Sequence, residues 1–183
     1  AIEKELEQRV QQFNSLSGNI PGVLYEYEFR KDGTEGLKYV SDSVEKVFGL
    51  TAEQFREFGT YIHPDDLGKI ILKNKQSKEN LSSFTDEARL VVPGKGIIWH
   101  SISSSYSYTT EDGNIVFTGF MMDITERKTV EHKIEEQKKF YEQILNNIPS
   151  DIAVFDNSHR YLFLNPMAVK DDELRTWMIG KKD

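Results

Sequence analysis

Apolar and polar residues follow two different periods along this chain, and each change of period marks a predicted element. The apolar positions of residues 1–17 lie four and three residues apart, which predicts a helix whose apolar stripe is formed by Leu6, Val10 and Phe13. From Gly22 the period becomes two, which predicts a strand with Val23, Tyr25, Tyr27 and Phe29 on one side. A Lys31-Asp32-Gly33 turn and a short second strand at residues 37–40 follow.

The next segment returns to a helical period and contains several helix start and stop signals. Ser41 or Asp42 can cap a short helix that ends at Gly49. Thr51 and Gln54 have the spacing of a capping box, in which each side chain bonds the other residue's backbone N–H. Residues 63–66, His-Pro-Asp-Asp, begin a longer helix, because proline suits the first helical position and carboxylates suit the helix dipole. The predicted inward face of that helix consists of Leu67, Ile70 and Ile71.

Three longer strands are predicted after this helical region, at residues 83–92, 97–108 and 114–124. The connections between them, residues 93–96 and 111–114, are short and contain glycine, which is typical of antiparallel hairpins. The order is therefore two strands, a run of helices and three strands. This order predicts an α+β domain in which helices cover one face of a five-stranded antiparallel sheet.

Heptad spacing continues through residues 126–147 and predicts a coiled-coil helix after the last strand. The predicted seam consists of Val130, Ile134, Gln137, Tyr141 and Ile144. Gln137 interrupts the apolar stripe, and a polar residue at such a position fixes the register at some cost in stability.

The chain then repeats its beginning, about one domain later. Residues 147–150, Asn-Ile-Pro-Ser, match residues 19–22, Asn-Ile-Pro-Gly. Strands are predicted at residues 152–156 and 160–164, and Asn165 onwards occupies the place of the first short helix. The second copy stops before its three-strand half, so we expect it to pack against a neighbour, to extend as helix or to be mobile.

Composition narrows the class of protein. The net charge of −7 argues against a nucleic-acid partner, because binding phosphates requires a basic face. The absence of cysteine excludes disulfides, thiolate metal sites and a cysteinyl flavin adduct. No apolar run approaches the ~20 residues of a membrane-spanning helix, so we expect a cytoplasmic segment without membrane contact, whose parent protein could have spans elsewhere.

Short motifs occur in a characteristic order through residues 20–128: residues 39–41 with Val44, residues 48–51 with Glu53, residues 62–66, residues 87–90, Gly96 with Trp99, Gly113, Gly119 and residues 123–128. Through these segments, residues 20–128 resemble a PAS domain of the kind common in bacterial multi-domain sensors. The last of these, Asp-Ile-Thr-Glu-Arg-Lys, is similar to the motif that ends the PAC part of such domains. Residues 148–183 resemble the first third of another PAS domain.

The resemblance implies a sensory module that dimerises through its linker helices and is followed by further PAS and output domains in the same polypeptide. The most frequent host is a sensor histidine kinase of a two-component system, so the kinase (transferase) domain would lie outside this chain. The alternatives are a cyclic-dinucleotide cyclase, another regulator, or a scaffold that dimerises without a ligand. On this basis the predicted boundaries are a linker helix at residues 1–17, a PAS domain at 18–125, a coiled-coil helix at 126–147 and a truncated PAS domain at 148–183.

Two sites are predicted. A signal-exit junction consists of Asp123, Ile124 and Thr125, where a capping contact would also tie the last strand to the outgoing helix. A candidate ligand pocket between sheet and helices consists of Tyr25, Tyr27, Phe48, Phe55, Leu90, Trp99, Ile102, Phe117 and Met121. The same side chains are also those expected of an ordinary core.

No catalytic or metal site is predicted, because the helix start at residues 63–66 is explained by capping and no nucleophile–base pairing occurs. His132 is expected to be a solvated linker residue, and His100 a half-exposed strand residue. No cofactor is assigned. An unidentified small molecule and a non-covalent flavin are open alternatives, whereas haem is disfavoured and cysteinyl flavin is excluded by the absence of cysteine.

Overall fold

The computed structural model describes residues 21–182, so the helix predicted for residues 1–17 lies outside the described residues. The chain divides into two compact units, residues 1–128 and residues 129–183, which are described separately. The strands of the first unit are β1 Val23–Phe29, β2 Glu35–Val40, β3 Phe84–Val92, β4 Gly96–Thr109 and β5 Ile115–Asp123. Its helices are α1 Ser43–Phe48, α2 Ala52–Phe55, a 3₁₀ helix at Phe58–Tyr61 and α3 Pro64–Asn80.

The five strands form one antiparallel sheet in the order β2-β1-β5-β4-β3, which confirms the predicted α+β fold. Strand β1 pairs with both β2 and β5, so it joins the first hairpin to the three strands that follow the helices. Tyr25 lies opposite Gly119 in this pairing, and its ring occupies the space that a side chain at position 119 would need. Glycine at 119 therefore allows the buried Tyr25 ring to lie across β5.

The short helices begin and end largely as their sequences predict. Thr51 and Gln54 form the reciprocal capping box, and Gly49 ends α1 with a φ of 73°, a left-handed conformation that favours glycine. Asp42 is the N-cap residue of α1, but its side chain makes no capping bond, so that prediction was wrong for Asp42. Ser41 instead accepts a hydrogen bond from the backbone of Leu24 (3.0 Å), because it lies beside the start of β1.

Helix α3 begins at Pro64 as predicted, but its inward face is narrower than expected. Ile70 is buried and Leu67 is partly buried against the core. Ile71 lies about 100° around the helix from Ile70 and is 57% exposed, although it also lines the cavity described below.

Helix α4, Thr125–Asn147, begins at the end of the first unit and continues into the second. In the second unit, β6 Ala153–Phe155 and β7 Tyr161–Leu164 form a two-stranded antiparallel sheet, followed by α5 Asp172–Met178. A turn at residues 166–168 replaces the helix predicted after Asn165, although Asn165 Oδ1 accepts from the Ala168 N–H as a helix cap would. Several apolar side chains of this hairpin are exposed: Val154, Phe155 and Leu162.

Candidate sensory cavity and helix junction

A cavity of about 420 Å³ lies between the inner face of the sheet and helix α3. Five residues of the predicted pocket line it: Tyr25, Tyr27, Ile102, Phe117 and Met121. Other lining residues were not predicted, and they come from the strands, from the 3₁₀ helix and the residue that follows it, and from α3: Phe29, Phe58, Ile62, Phe84, Leu67, Ile70, Ile71, Asn74, Ser77 and Ser104. The wall is therefore mainly aromatic and aliphatic, with a few polar groups.

Four residues of the predicted pocket do not line this cavity. Phe48, Phe55 and Leu90 are fully buried in the close-packed part of the core, where the rings of Phe48 and Phe55 stack at 5.8 Å. Trp99 is half-buried and packs beside two cationic side chains, as described below. The pattern of large apolar residues thus identified the interior but did not distinguish packed core from cavity.

Two of the polar groups around the cavity, the Tyr25 and Ser77 hydroxyls, bind backbone carbonyls. The Tyr25 hydroxyl donates to the Ser103 carbonyl (3.4 Å), and burial raises the pKa of Tyr25 to about 12. Burial and the neighbouring Glu35 carboxylate raise the pKa of Tyr27, so both phenols stay protonated at neutral pH. The Ser77 hydroxyl donates to the Ser82 carbonyl. The half-buried side-chain amide of Asn74, on α3, has no hydrogen-bond partner within residues 21–182.

His100 is fully buried, so the expectation of a half-exposed strand residue was wrong. Its ring lies edge-on to those of Phe58 (5.5 Å) and Phe48 (6.4 Å). Within residues 21–182 neither ring nitrogen has a hydrogen-bond partner. Burial lowers the pKa of His100 to about 4, although the Ala88 backbone and two nearby carboxylates act in the opposite direction. The imidazole is therefore neutral at physiological pH.

The junction between β5 and α4 is held by the backbone of Trp99. The Trp99 carbonyl accepts from the Ile124 N–H (2.8 Å), and the Trp99 N–H donates to the Thr125 hydroxyl (2.9 Å). The Thr125 N–H donates in turn to the Asp123 carboxylate (2.8 Å). The three predicted junction residues therefore lie together, and one buried residue, Ile124, separates the strand from the helix.

The start of helix α3 is held in a similar way by the backbone of Arg89. The Arg89 carbonyl accepts from the His63 N–H (2.8 Å), and the Arg89 N–H donates to the Asp66 carboxylate (2.9 Å). The Arg89 side chain also binds both oxygens of Asp66, each at 2.8 Å. These hydrogen bonds from Arg89 lower the pKa of Asp66 to about 2. Residues 63–66 therefore begin helix α3 and also attach it to Arg89 of strand β3. The sequence did not predict this second role.

Arg89 and Trp99 are directly opposite each other across strands β3 and β4. The Arg89 guanidinium lies 5.6 Å from the centre of the Trp99 ring, and Lys128 Nζ lies 5.3 Å from it. Lys128 and Arg127, in the first turn of α4, also form ion pairs with Glu87 of β3 (2.7 and 2.6 Å). Arg89 and Trp99, which are neighbours across two strands, therefore bind the starts of helices α3 and α4 respectively.

The described residues contain no group of three or more histidine, aspartate or glutamate side chains placed to hold a metal ion. In the same part of the chain, no helix is both long enough and apolar enough to cross a membrane.

Comparisons with known proteins agree with this fold. The family model for the PAS fold matches residues 37–121. A methyl sulfide methyltransferase-associated sensor from Methanosarcina acetivorans is 29% identical over 121 residues, which are 63% of this chain and 12% of that protein. The chain therefore matches only a small part of this relative's length.

Two solved structures have a similar fold at low identity. A sensory box histidine kinase/response regulator from Burkholderia thailandensis superposes with a TM-score of 0.52 at 19% identity, covering 74% of this chain and 98% of that one. The PAS domain of a protein from Colwellia psychrerythraea gives a TM-score of 0.51 at 20% identity, covering 66% and 98%.

Proposed function

The domain that contains residues 37–121 is a PAS domain, and on that premise we propose that it senses a small molecule in its cavity and relays occupancy to helix α4. The observation that supports this proposal is the pairing of Arg89 with Trp99. Arg89 binds the start of α3, which lines the cavity, and Trp99 binds the start of α4. A displacement of α3 by a ligand would reach α4 through two adjacent residues.

The relay requires two arrangements of these contacts whose populations a ligand can shift. Helix α3 can couple the cavity to Arg89, because Leu67, Ile70 and Asn74 line the cavity and Asp66 lies in the first turn of the same helix. Movement of α3 would change the position of the Asp66–Arg89 pair, and the Trp99 ring, which contacts both Arg89 and Lys128, would move with it. Helix α4 would then rotate or shift relative to β5, the strand that precedes it.

We propose that the ligand is uncharged and mainly apolar, with one group that hydrogen-bonds to Asn74. The wall is aromatic and aliphatic, and burial of a charged ligand without a paired side chain would be costly. Asn74 offers both a donor and an acceptor and has no partner in the described part of the chain. Glu35, Arg56 and Glu57 line the cavity but are exposed, so they are hydrated without a ligand.

Binding of 2-naphthol and 2-naphthoate tests this ligand class with two probes of similar shape and different charge. We expect 2-naphthol to raise the unfolding temperature at neutral pH and 2-naphthoate to leave it unchanged. Asn74→Leu should weaken 2-naphthol binding about 3–10-fold, the effect of one net hydrogen bond. The control is Asn80→Leu, because Asn80 is exposed at the end of the same helix. Equal binding of both probes, or no binding of either, would contradict the proposal.

Native mass spectrometry of freshly purified protein is a second test, because it would identify a small molecule that the cavity retains.

We propose further that the chain forms a homodimer through the seam of helix α4, which consists of Val130, Ile134, Gln137, Tyr141 and Ile144. Its apolar members are exposed in the single chain, by 50% at Val130 and 61% at Ile134. An apolar stripe of this length at heptad spacing favours packing on a second helix.

Sedimentation equilibrium tests the homodimer. Ile134→Glu should convert a dimer to a monomer, because it places a charge within the seam. Lys139→Gln should leave the dimer intact, because it changes the net charge by the same amount on the opposite face. A monomeric parent chain, or a dimer that survives Ile134→Glu, would contradict this prediction.

The parent protein that we propose is a sensor histidine kinase with its catalytic domain outside this chain, so that this segment works in the cytoplasm without catalysing a reaction. The relative from Methanosarcina acetivorans is named as a sensor, which supports a signalling role. A PAS module of a cyclic-dinucleotide cyclase or of another regulator is the alternative. The sequence of the parent protein beyond residue 183 decides between them.

A further inference from the structure

The repeated segments of this chain place Asn165 of the second unit where the first unit has Ser41. The Ser41 backbone N–H donates to the Leu24 carbonyl (2.9 Å), and its hydroxyl accepts from the Leu24 N–H (3.0 Å). The Asn165 N–H donates to the Ile152 carbonyl (3.1 Å), and Asn165 Oδ1 accepts from the Ile152 N–H (3.0 Å). The two residues therefore hold the start of the first strand in the same way.

Asn165 makes additional bonds that reach the end of helix α4. Its side-chain nitrogen Nδ2 donates to three carbonyls, those of Leu145 (3.2 Å), Ile148 (3.4 Å) and Ser150 (2.8 Å). Its oxygen Oδ1 also accepts from the Ala168 N–H (3.0 Å). Asn165 is fully buried. One side chain thus joins the last turn of α4, the start of β6 and the turn after β7.

These contacts determine how freely the helix end can move. The last carbonyls of a helix have no partner within the helix, so an outside donor that binds them fixes the helix end to the element that supplies the donor. A buried amide whose donors and acceptors are all used has one favourable orientation, because any other leaves buried polar groups without partners.

We infer that Asn165 is a positioning residue that fixes the end of helix α4 to the β6–β7 hairpin, so that the two move as one body. A serine at the equivalent place is sufficient to hold a strand, as Ser41 does, but a hydroxyl has only one hydrogen to donate. The second hydrogen of the amide allows Asn165 to bind the Leu145 carbonyl of α4 and the Ile148 carbonyl just after it, as well as the Ser150 carbonyl. Transmission of α4 rotation into the second unit rests on the proposed relay; the fixation itself does not.

Distance measurements between spin labels test the fixation in this chain, which has no cysteine of its own. Labels at Lys138→Cys on α4 and Ser158→Cys in the hairpin turn, in samples diluted with an excess of unlabelled chain, should give one narrow distance distribution. Asn165→Ser should remove the narrow peak and leave a broad distribution. Asn165→Asp should act in the same way, because it keeps both acceptor bonds and donates none at neutral pH. Asn147→Ser, the same change at an exposed asparagine of the same helix end, should keep the narrow peak.

Amide hydrogen exchange of residues 153–164 distinguishes positioning from a merely structural role. Positioning predicts that exchange in the hairpin stays as in the parent chain for Asn165→Ser, while the distance distribution broadens. The inference is overturned if both variants keep the narrow peak, or if both lose the protection of the hairpin. Neither measurement depends on a ligand, so the failure of the cavity proposal would be seen separately, in the naphthol experiment.

Discussion

Acidification from pH 7 to pH 4 is expected to destabilise the PAS domain by up to about 3 kcal/mol through His100 alone. The pKa of His100 is about 4 in the folded state and 6.5 in an exposed chain. Between these values the unfolded chain binds a proton that the folded chain does not. Stability therefore falls as the pH falls from about 6.5 towards 4, and this loss is absent above 6.5.

The physical cause is the surroundings of the ring. His100 is fully buried beside Phe48 and Phe58, and burial disfavours the imidazolium. Asp66 and Asp86 favour the protonated form and Lys69 opposes it, but these effects are smaller than the effect of burial. Protonation would thus bury a charge without a close partner.

Urea unfolding of the parent chain and of His100→Leu at several pH values measures this effect. Leucine has a similar volume and does not titrate, so His100→Leu should lose the pH dependence between 4 and 6.5. It should also be more stable at pH 7 by about 1 kcal/mol, because the ring nitrogens of the parent have no hydrogen-bond partner in the described structure. The control is His132→Gln, whose side chain is 73% exposed. An unchanged pH dependence in His100→Leu would show that His100 is not the titrating group.

The strands and turns of the first domain could be predicted because their signals are local. Alternation over a few residues identifies a strand, and glycine at 33, 49 and 113 marks places where the backbone needs a positive φ. For example, alternation predicts a strand at residues 83–92, and the observed strand β3, Phe84–Val92, differs from it by one residue. Local signals do not state how tightly the inward side chains pack, so the cavity could not be separated from the core.

The misplacement of Trp99 and His100 could have been avoided from the sequence. Side chains in a strand alternate between faces, so Trp99 and Ile102, three residues apart, cannot face the same side. His100 and Ile102, two residues apart, must do so. Strict use of this alternation places His100 in the core and Trp99 on the outer face, as found.

The Asp66–Arg89 pair could not be predicted, because its members are 23 residues apart and nothing local connects them. The helix start at residues 63–66 already had a sufficient local explanation, which concealed the second contact. Asn165 is a similar case, since its partners lie up to 20 residues away.

Asp66→Asn is expected to destabilise the domain by about 2 kcal/mol at pH 7, because it removes the charge that binds Arg89 through two side-chain bonds. The pKa of Asp66 is lowered from 3.8 to about 2, so its stabilising effect is complete above about pH 4 and is lost as the pH falls towards 2. The difference between Asp66→Asn and the parent chain should shrink over the same range. Asp65→Asn is the matched control, because the Asp65 side chain is 70% exposed and its pair with Arg89 is longer, at 3.3 Å.

The same variant tests whether this pair connects the cavity to helix α4. Under the proposed relay, 2-naphthol should change the amide exchange of residues 125–128 in the parent chain and in Asp65→Asn, but not in Asp66→Asn. The variant should still bind the probe, because Asp66 does not line the cavity. A stability loss alone would leave the response of residues 125–128 intact, since Trp99 still binds Ile124 and Thr125. Loss of the response with retained binding therefore assigns the coupling to the carboxylate that holds Arg89, and a retained response places the coupling elsewhere in the sheet.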